Sequence, residues 1–132
     1  MDPLKILIAE DNPEDGHLLE HRIKVKLTDA MPVDIHIVIV RTLAEALTHA
    51  ATATVSILDL NLLDASADDL IAAIPFFTPP VIIMTGDCDP KIHARCKMAG
   101  ASDVFMKGHL GGLCRAILRA MSKKVLLETG DK

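Results

Sequence analysis

The residues best suited to chemistry are three carboxylates, a hydroxyl and an amine, and each stands at the end of an apolar run. Glu10 and Asp11 follow one run, Asp59 and Thr85 follow two later ones, and Lys107 follows the last. Carboxylates that meet at one point repel each other unless a cation neutralises them, and Mg²⁺ prefers carboxylate oxygens together with water. Asp59, the deepest, is also a candidate nucleophile, since a carboxylate attacks phosphorus to give an aspartyl phosphate. The amine and the hydroxyl suit the oxygens of a transferred phosphoryl group.

The apolar runs predict the strands of a parallel sheet. They are short and rich in β-branched residues, and most are continuous, as in strands covered on both faces. The segments between them have apolar residues at helical spacing. This alternation predicts a doubly wound, three-layer α/β fold of the flavodoxin-like type, with five helices and a five-stranded parallel sheet. The predicted strands are residues 5–9, 35–40, 55–58, 81–84 and 103–106.

Capping residues predict where the helices begin and end. Asn12 and Pro13 supply an N-cap and a first-turn proline, and Thr42 with Glu45 forms a capping box that opens a helix through about Ala50. Later helices are expected from Ser66 to before Pro75, from Asp89–Pro90 to near Gly100, and through Leu113 to Met121, with an amphipathic pattern that continues through Val125 and Leu127.

The strand order decides whether the reactive residues meet. In open α/β sheets, ligands bind beyond the carboxyl ends of the strands, where the strand order reverses. With the order 2-1-3-4-5, this crevice lies between the first and third strands. We therefore expect Glu10, Asp11 and Asp59 to converge there, flanked by Thr85 and Lys107. The second strand is the only one for which we identify no chemically distinctive residue at its end.

Four segments, in this order and at these intervals, resemble the receiver domains of bacterial response regulators in two-component signalling systems. They are residues 6–12, 56–62, 80–86 and 99–107, and the resemblance covers roughly residues 4 to 121. It implies that Asp59 accepts a phosphoryl group from the phosphohistidine of a histidine kinase. Phosphotransfer proteins are the other implied donors. The phosphoprotein is then expected to signal through the face formed by the fourth helix, fifth strand and fifth helix.

The resemblance also implies a role for each site residue. Mg²⁺ would be held by Glu10, Asp11, Asp59 and the backbone carbonyl of Asn61. Thr85 and Lys107 would sense the phosphoryl group, and Asn61 and Asp87 would tune the attack of water on the acylphosphate. Such a chain catalyses only its own phosphorylation and dephosphorylation, so we do not expect an enzyme in the usual sense.

Several positions depart from the receiver pattern. Leu63 and Ala67 stand where a proline and a glycine are usual after the acceptor, and Gly108 replaces a cis-proline after the lysine. Gly108 permits the turn without enforcing it. The aromatic switch position is Val104, and its neighbour Phe105 faces the other side of the strand. The catalytic set is therefore intact while the readout is altered.

Other functions remain alternatives. The altered positions favour a pseudo-receiver, an interaction module that uses the fold without phosphotransfer. A flavodoxin-like cofactor site would need a phosphate-binding loop after the first strand, but residues 10–15 are acidic there. A haloacid-dehalogenase-like phosphatase would need a second aspartate at Asn61. His17 and His21 have the spacing of paired zinc ligands on a helix, but no third ligand is evident and an exposed coincidence is preferred.

Composition limits the setting. The chain of 132 residues is half apolar, which suits one domain, and its net charge of −4 argues against general affinity for nucleic acid or an anionic membrane. No apolar stretch approaches the roughly 20 residues of a membrane-spanning helix. Cys88, Cys96 and Cys114 are odd in number and lack metal-binding spacing, as expected of reduced thiols in the cytoplasm.

One receiver domain is expected to occupy residues 1–132, with a core at about 4–121 and an extension of the last helix and a tail at about 122–132. No output domain is expected after it. Output is therefore predicted to pass through protein–protein contacts, with a homodimer as one alternative, and not through direct contact with nucleic acid.

Overall fold

A computed structural model describes residues 3–30, 34–108 and 111–129, with the side chains described up to Met121 and that of Ala30 excepted. Strands and helices alternate along the chain, as the sequence predicts. The strands are β1 (Leu4–Ala9), β2 (Ile35–Val40), β3 (Val55–Asp59), β4 (Val81–Thr85) and β5 (Asp103–Met106). The helices are α1 (Pro13–Ala30), α2 (Leu43–Thr48), α3 (Ala67–Ala73), α4 (Pro90–Ala99) and α5 (Leu113–Thr129), with a short 3₁₀ turn at Ile74–Phe76.

The five strands form one parallel sheet in the order β2-β1-β3-β4-β5. This order confirms the predicted doubly wound α/β fold of the flavodoxin-like type. β1 and β3 are neighbours, with Ala9 opposite Leu58. The chain leaves β1 towards β2 on one side and leaves β3 towards β4 on the other, so the strand order reverses between them. The crevice predicted from the sequence therefore exists at the carboxyl ends of β1 and β3.

Two apolar layers cover the faces of the sheet. Ile6 and Ile8 of β1 face one layer, together with buried residues of α1 and α5 such as Ile23 and Ile117. Leu7 and Ala9 face the other, which is built with α2, α3 and α4. Successive residues of a strand point to opposite faces, so a strand buried on both sides must be apolar at every position. These layers hold the carboxyl ends of the strands at a common edge.

The helix ends follow their caps. The side chain of Asn12 accepts from the backbone N–H groups of Glu14 and Asp15, at 3.0 and 3.3 Å, which opens α1. Ser66 and Asp69 form a reciprocal capping box at α3. The helix α2 ends at Thr48, earlier than the predicted Ala50, because the backbone tightens into turns around His49.

The last helix continues to Thr129, and so it includes Val125 and Leu127, whose side chains lie outside the described part. The three cysteines are free. None of the helices, over the described residues, is long and apolar enough to cross a membrane.

Candidate functional site

Three carboxylates meet at the carboxyl edge of the sheet. Glu10 and Asp11 follow β1, and Asp59 is the last residue of β3. One oxygen from each lies within 4.8 Å of the other two. Glu10 and Asp59 are almost completely buried, at 1% and 0% exposure, whereas Asp11 is only partly buried. The structure thus brings together the three acidic residues that the sequence predicts to converge.

Lys107 follows β5 and places its ammonium group between two of these carboxylates. Its Nζ lies 2.6 Å from Asp59 Oδ2 and 3.1 and 3.3 Å from the two carboxylate oxygens of Glu10. The Lys107 ammonium is thus the charged partner of the buried Asp59 Oδ2. The other oxygen, Oδ1, accepts from the backbone N–H of Asn61 at 2.9 Å.

The pKa values of Glu10 and Asp59 shift in opposite directions because the two acids are buried side by side. Burial first, and then the Asp59 carboxylate beside it, raise the pKa of Glu10 from 4.5 to about 8, against the opposing charge of Lys107. Burial also disfavours the charge on Asp59, but hydrogen bonds from the protonated Glu10, from Lys107 and from the backbone of Asn61 outweigh this effect, so the pKa of Asp59 lies below its usual value. Burial likewise disfavours the Lys107 ammonium, yet the two acids hold its pKa above the ordinary value. At neutral pH the proton therefore sits on Glu10, and Asp59 is the ionised partner of Lys107.

Thr85 ends β4, the strand beside β3, and is completely buried. Its hydroxyl oxygen accepts from the backbone N–H of Asp87 at 2.9 Å, and its carbonyl accepts from the backbone N–H of Lys107 at 2.8 Å. The ring of His93, on α4, donates from Nε2 to the carbonyl of Asp87 at 2.8 Å. A Cβ at Gly86, the residue after Thr85, would meet no atom within 4 Å, so the space at this glycine is open.

The positions that depart from the receiver pattern are placed as the sequence suggests. Gly108 has a φ of +88°, in the left-handed region that favours glycine. Val104 packs against the layer of α2, α3 and α4, while Phe105 packs against the opposite layer of α1 and α5. Phe105 therefore cannot replace a side chain at position 104. Leu63 is 81% exposed in the loop after β3.

The chemistry of the site fits a divalent cation with oxygen ligands. Three convergent carboxylates, two of them almost completely buried, form a donor set of the kind Mg²⁺ uses. Glu10, Asp11 and Asp59 are the residues that would hold it, and a cation there would displace the proton from Glu10. An open cleft lined by Asp11, Asn12 and Glu14 leads to this point from solvent. A smaller cavity of about 250 Å³ lies beside it, between α1 and Lys107.

Within the described part of the chain, this is the only group of three possible metal-ligating side chains. His17 instead lies 3.8 Å from Glu20 on the same helix, and no third ligand joins His17 and His21. Both histidines are exposed, and among the described residues neither belongs to a group of three possible ligands.

Two residues near the site were missed by the sequence analysis. Arg41 directly follows β2, the strand to which no distinctive residue was assigned, and its Nη2 donates to the backbone carbonyl of Asp11 at 3.2 Å. Its position after a strand was the available signal. Asp64 binds the first turn of α2 through both carboxylate oxygens. No local spacing connects it with that helix, so only the folded chain reveals this contact.

Comparison with known proteins gives a consistent answer for the fold. No family model and no curated protein sequence matches the chain. Among solved structures, the non-phosphorylated HemR receiver domain from Leptospira biflexa is 23% identical, with a TM-score of 0.74, and the match covers 92% of this chain and 95% of that one. The BeF₃-activated N-terminal receiver domain of RstA from Klebsiella pneumoniae is 24% identical, with a TM-score of 0.64 and coverage of 87% and 95%.

A third similar structure is the Mn²⁺-bound form of the response regulator Rcp1, which is 19% identical with a TM-score of 0.59 and coverage of 80% and 81%. All three proteins are described as response regulators or their receiver domains. The strand order of this chain agrees with that likeness. The fold of this chain is the fold of response-regulator receiver domains.

Proposed function

We propose that this chain is a receiver that accepts a phosphoryl group on Asp59, with Mg²⁺ bound beside it. The observation that carries the proposal is the pairing of a fully buried Asp59 with Lys107, beside two further acids, at the switch point of the sheet. Burying an ion lowers the stability of a fold even when the ion is paired. A buried ion pair at this edge of the sheet therefore favours a role in function over a role in stability. The likeness to receiver domains supports the same conclusion.

Phosphoryl transfer to Asp59 forms one bond to phosphorus and breaks another. An oxygen of the Asp59 carboxylate forms a bond to phosphorus while the bond from phosphorus to the donor nitrogen breaks, and the imidazole of the phosphohistidine leaves with its electron pair. The ammonium of Lys107 and the hydroxyl of Thr85 then donate to the phosphoryl oxygens, which carry the developing charge. Bound Mg²⁺ supplies the positive charge that lets two anions approach each other. Asn61 holds one oxygen of Asp59 through its backbone N–H at 2.9 Å, which limits rotation of the nucleophile.

The same geometry suggests how the phosphorylated chain behaves. Loss of the phosphoryl group needs a water molecule in line with the acylphosphate bond. Asn61 and Asp87 lie two residues after Asp59 and Thr85, and we expect them to influence how readily this water attacks. The chain thus acts as a substrate and a signal carrier more than as an enzyme with turnover. We assign its donor to a histidine kinase or a phosphotransfer protein, and its output to protein–protein contacts of the face formed by α4, β5 and α5.

Intact-protein mass spectrometry tests the proposal. The chain is incubated with Mg²⁺ and acetyl phosphate, and the mass is expected to rise by one phosphoryl group. Asp59→Asn should stay unmodified, and Asp11→Asn should react far more slowly because it lacks a metal ligand. An exposed acid nearby, as in Glu14→Gln, serves as the matched control and should react as the wild type does. Failure of the wild type over a range of donors would refute the proposal.

A pseudo-receiver is the second candidate. Val104, at the usual switch position, packs into the apolar layer and offers no aromatic ring, and Leu63 is 81% exposed in the loop after β3. These features favour a module that binds partners without a phosphorylation switch. Titration with Mg²⁺ followed by beryllofluoride separates the two candidates. A change in the amide spectrum on beryllofluoride addition supports the receiver, and no response beyond Mg²⁺ binding supports the pseudo-receiver.

A further inference from the structure

The loop between β3 and α3 is tied to α2 by a single side chain. Asp64 accepts from the backbone N–H of Leu43 at 2.8 Å through Oδ1 and from that of Ala44 at 3.1 Å through Oδ2. These are the first two residues of α2, and the next N–H, of Glu45, is accepted by Thr42 at 3.1 Å. The first turn of α2 thus has two caps, one local and one from a residue in another loop.

The two hydrogen bonds that Asp64 accepts are expected to be strong for bonds from backbone N–H groups. Both oxygens of one carboxylate accept from consecutive backbone N–H groups, at the positive end of a helix, and bonds to a charged acceptor are stronger than neutral ones. The bond from Leu43 is the main reason that the pKa of Asp64 lies below its usual value. The carboxylate is therefore ionised at neutral pH, and the tie is present under ordinary conditions.

The tied loop is the one that departs from the receiver pattern. Leu63 and Ala67 stand where the resemblance implies a proline and a glycine, and neither restricts the backbone as proline does. Leu62 is buried in the apolar layer, while the next residue, Leu63, is 81% exposed. Burial of Leu62 and the bonds of Asp64 thus fix the chain on either side of Leu63. The tie supplies a restraint that the sequence of the loop does not.

This loop also carries part of the site. The backbone N–H of Asn61 holds Asp59 Oδ1 at 2.9 Å, and the resemblance assigns the carbonyl of Asn61 to the metal ion. Mg²⁺ requires nearly ideal octahedral geometry. A ligand that is not held in position therefore lowers the affinity for Mg²⁺ more than the affinity for a larger cation. A displacement of the loop by a few tenths of an ångström would therefore affect the metal before it affected the fold.

We propose that Asp64 is a positioning residue for the site, which holds the backbone of Asn61 in place by tying the loop after β3 to the first turn of α2. The inference rests on the proposed function, because it concerns the same metal ion. The two hydrogen bonds that the Asp64 side chain accepts from other residues come from α2 and not from the groups around Asp59. Its effect on the site passes through the backbone of residues 61–64.

The test compares two variants that damage the same helix end. Asp64→Ala removes the tie to the loop, whereas Thr42→Ala removes the local cap of α2 and leaves the loop attached. Mg²⁺ affinity is measured by calorimetry on the full chain, and stability is measured by urea unfolding followed by circular dichroism. We expect both variants to lose stability, and only Asp64→Ala to bind Mg²⁺ about tenfold more weakly, as is common when a residue that supports a ligand is removed. Asp64→Asn keeps one acceptor oxygen and should recover part of the affinity.

A second measurement does not depend on the metal. Amide hydrogen exchange at Asn61, in the Mg²⁺-free protein, should accelerate in Asp64→Ala and stay unchanged in Thr42→Ala. Equal Mg²⁺ affinities in the two alanine variants, or an Asn61 exchange rate that Asp64→Ala leaves unchanged, would overturn the inference. If the wild type binds no Mg²⁺ while Asn61 exchange still responds to Asp64→Ala, the proposed function fails and the structural role of Asp64 stands.

Discussion

Protonation of Glu10 makes a quantitative prediction for Mg²⁺ binding. In the Mg²⁺-free chain the pKa of Glu10 is raised to about 8, chiefly by burial and by the adjacent Asp59. A metal ligand must be deprotonated, so binding of Mg²⁺ has to expel this proton. The affinity for Mg²⁺ is therefore expected to fall as the pH is lowered below 8. An ordinary, solvent-exposed carboxylate would give no such effect, because its pKa is about 4.

The size of the effect follows from the pKa. Each pH unit below the pKa costs about 1.4 kcal/mol of binding free energy, so the apparent affinity falls about tenfold per unit. At pH 6, about 1% of the molecules have an ionised Glu10, and Mg²⁺ should bind about 100-fold more weakly than at pH 9. Above pH 9 the affinity should level off, because the proton has already left.

Calorimetry in buffers of different ionisation enthalpy measures both the affinity and the number of protons released. We expect about one proton per Mg²⁺ at pH 6 and almost none at pH 9. Glu10→Gln removes the titrating group. This variant should bind Mg²⁺ more weakly than the wild type does at pH 9, and its affinity should not depend on pH between 6 and 9. Glu14→Gln, in the open cleft, should keep the wild-type slope. A wild-type affinity that is constant between pH 6 and 8 would refute this account of the site.

Three further predictions concern stability. Lys107→Met removes the positive charge that pairs with the buried Asp59 and should lower the free energy of unfolding by about 1–2 kcal/mol without Mg²⁺, after allowance for the partial exposure of the lysine; saturating Mg²⁺ should restore most of the loss in urea unfolding. Gly100→Ala places a Cβ on a residue with a φ of +121° and should cost about 1–2 kcal/mol in the same assay, with unchanged Mg²⁺ affinity. Ile82→Ala opens a cavity at a fully buried position of β4 and should cost about 2–5 kcal/mol; a loss below 1 kcal/mol would show that the layer relaxes around it.

Much of the fold could be predicted because its strands are buried on both faces. A strand such as β3 must be apolar at nearly every position before Asp59, and that requirement is written directly in the sequence. Capping residues such as Ser66 are equally local, since the cap and the group it binds lie within one turn. The end of α2 was placed less well, because turn bonds around His49 compete with helical ones over a few residues.

The gathering of Glu10, Asp11 and Asp59 was predictable from topology, but their protonation was not. The pKa of Glu10 depends on burial and on distances to Asp59 and Lys107, which only the folded chain defines. The contact of Asp64 with α2 is likewise invisible locally, because residues about 20 positions apart are joined by the path of the loop. Sequence reasoning thus predicted which side chains gather at the edge of the sheet, and it missed Arg41 and Asp64, whose contacts depend on the folded chain.

The long separation of the reactive residues has a consequence in the cell. Lys107 and Glu10 touch although they are 97 residues apart in the chain, and Asp59 and Thr85 come from two strands between them. A nascent chain that lacks β5 and Lys107 contains Asp59 without the ammonium group that pairs with it. The proposed transfer to Asp59 therefore requires a chain that is folded through Lys107, and unfolded copies or copies that lack β5 would neither consume phosphodonor nor compete for its source.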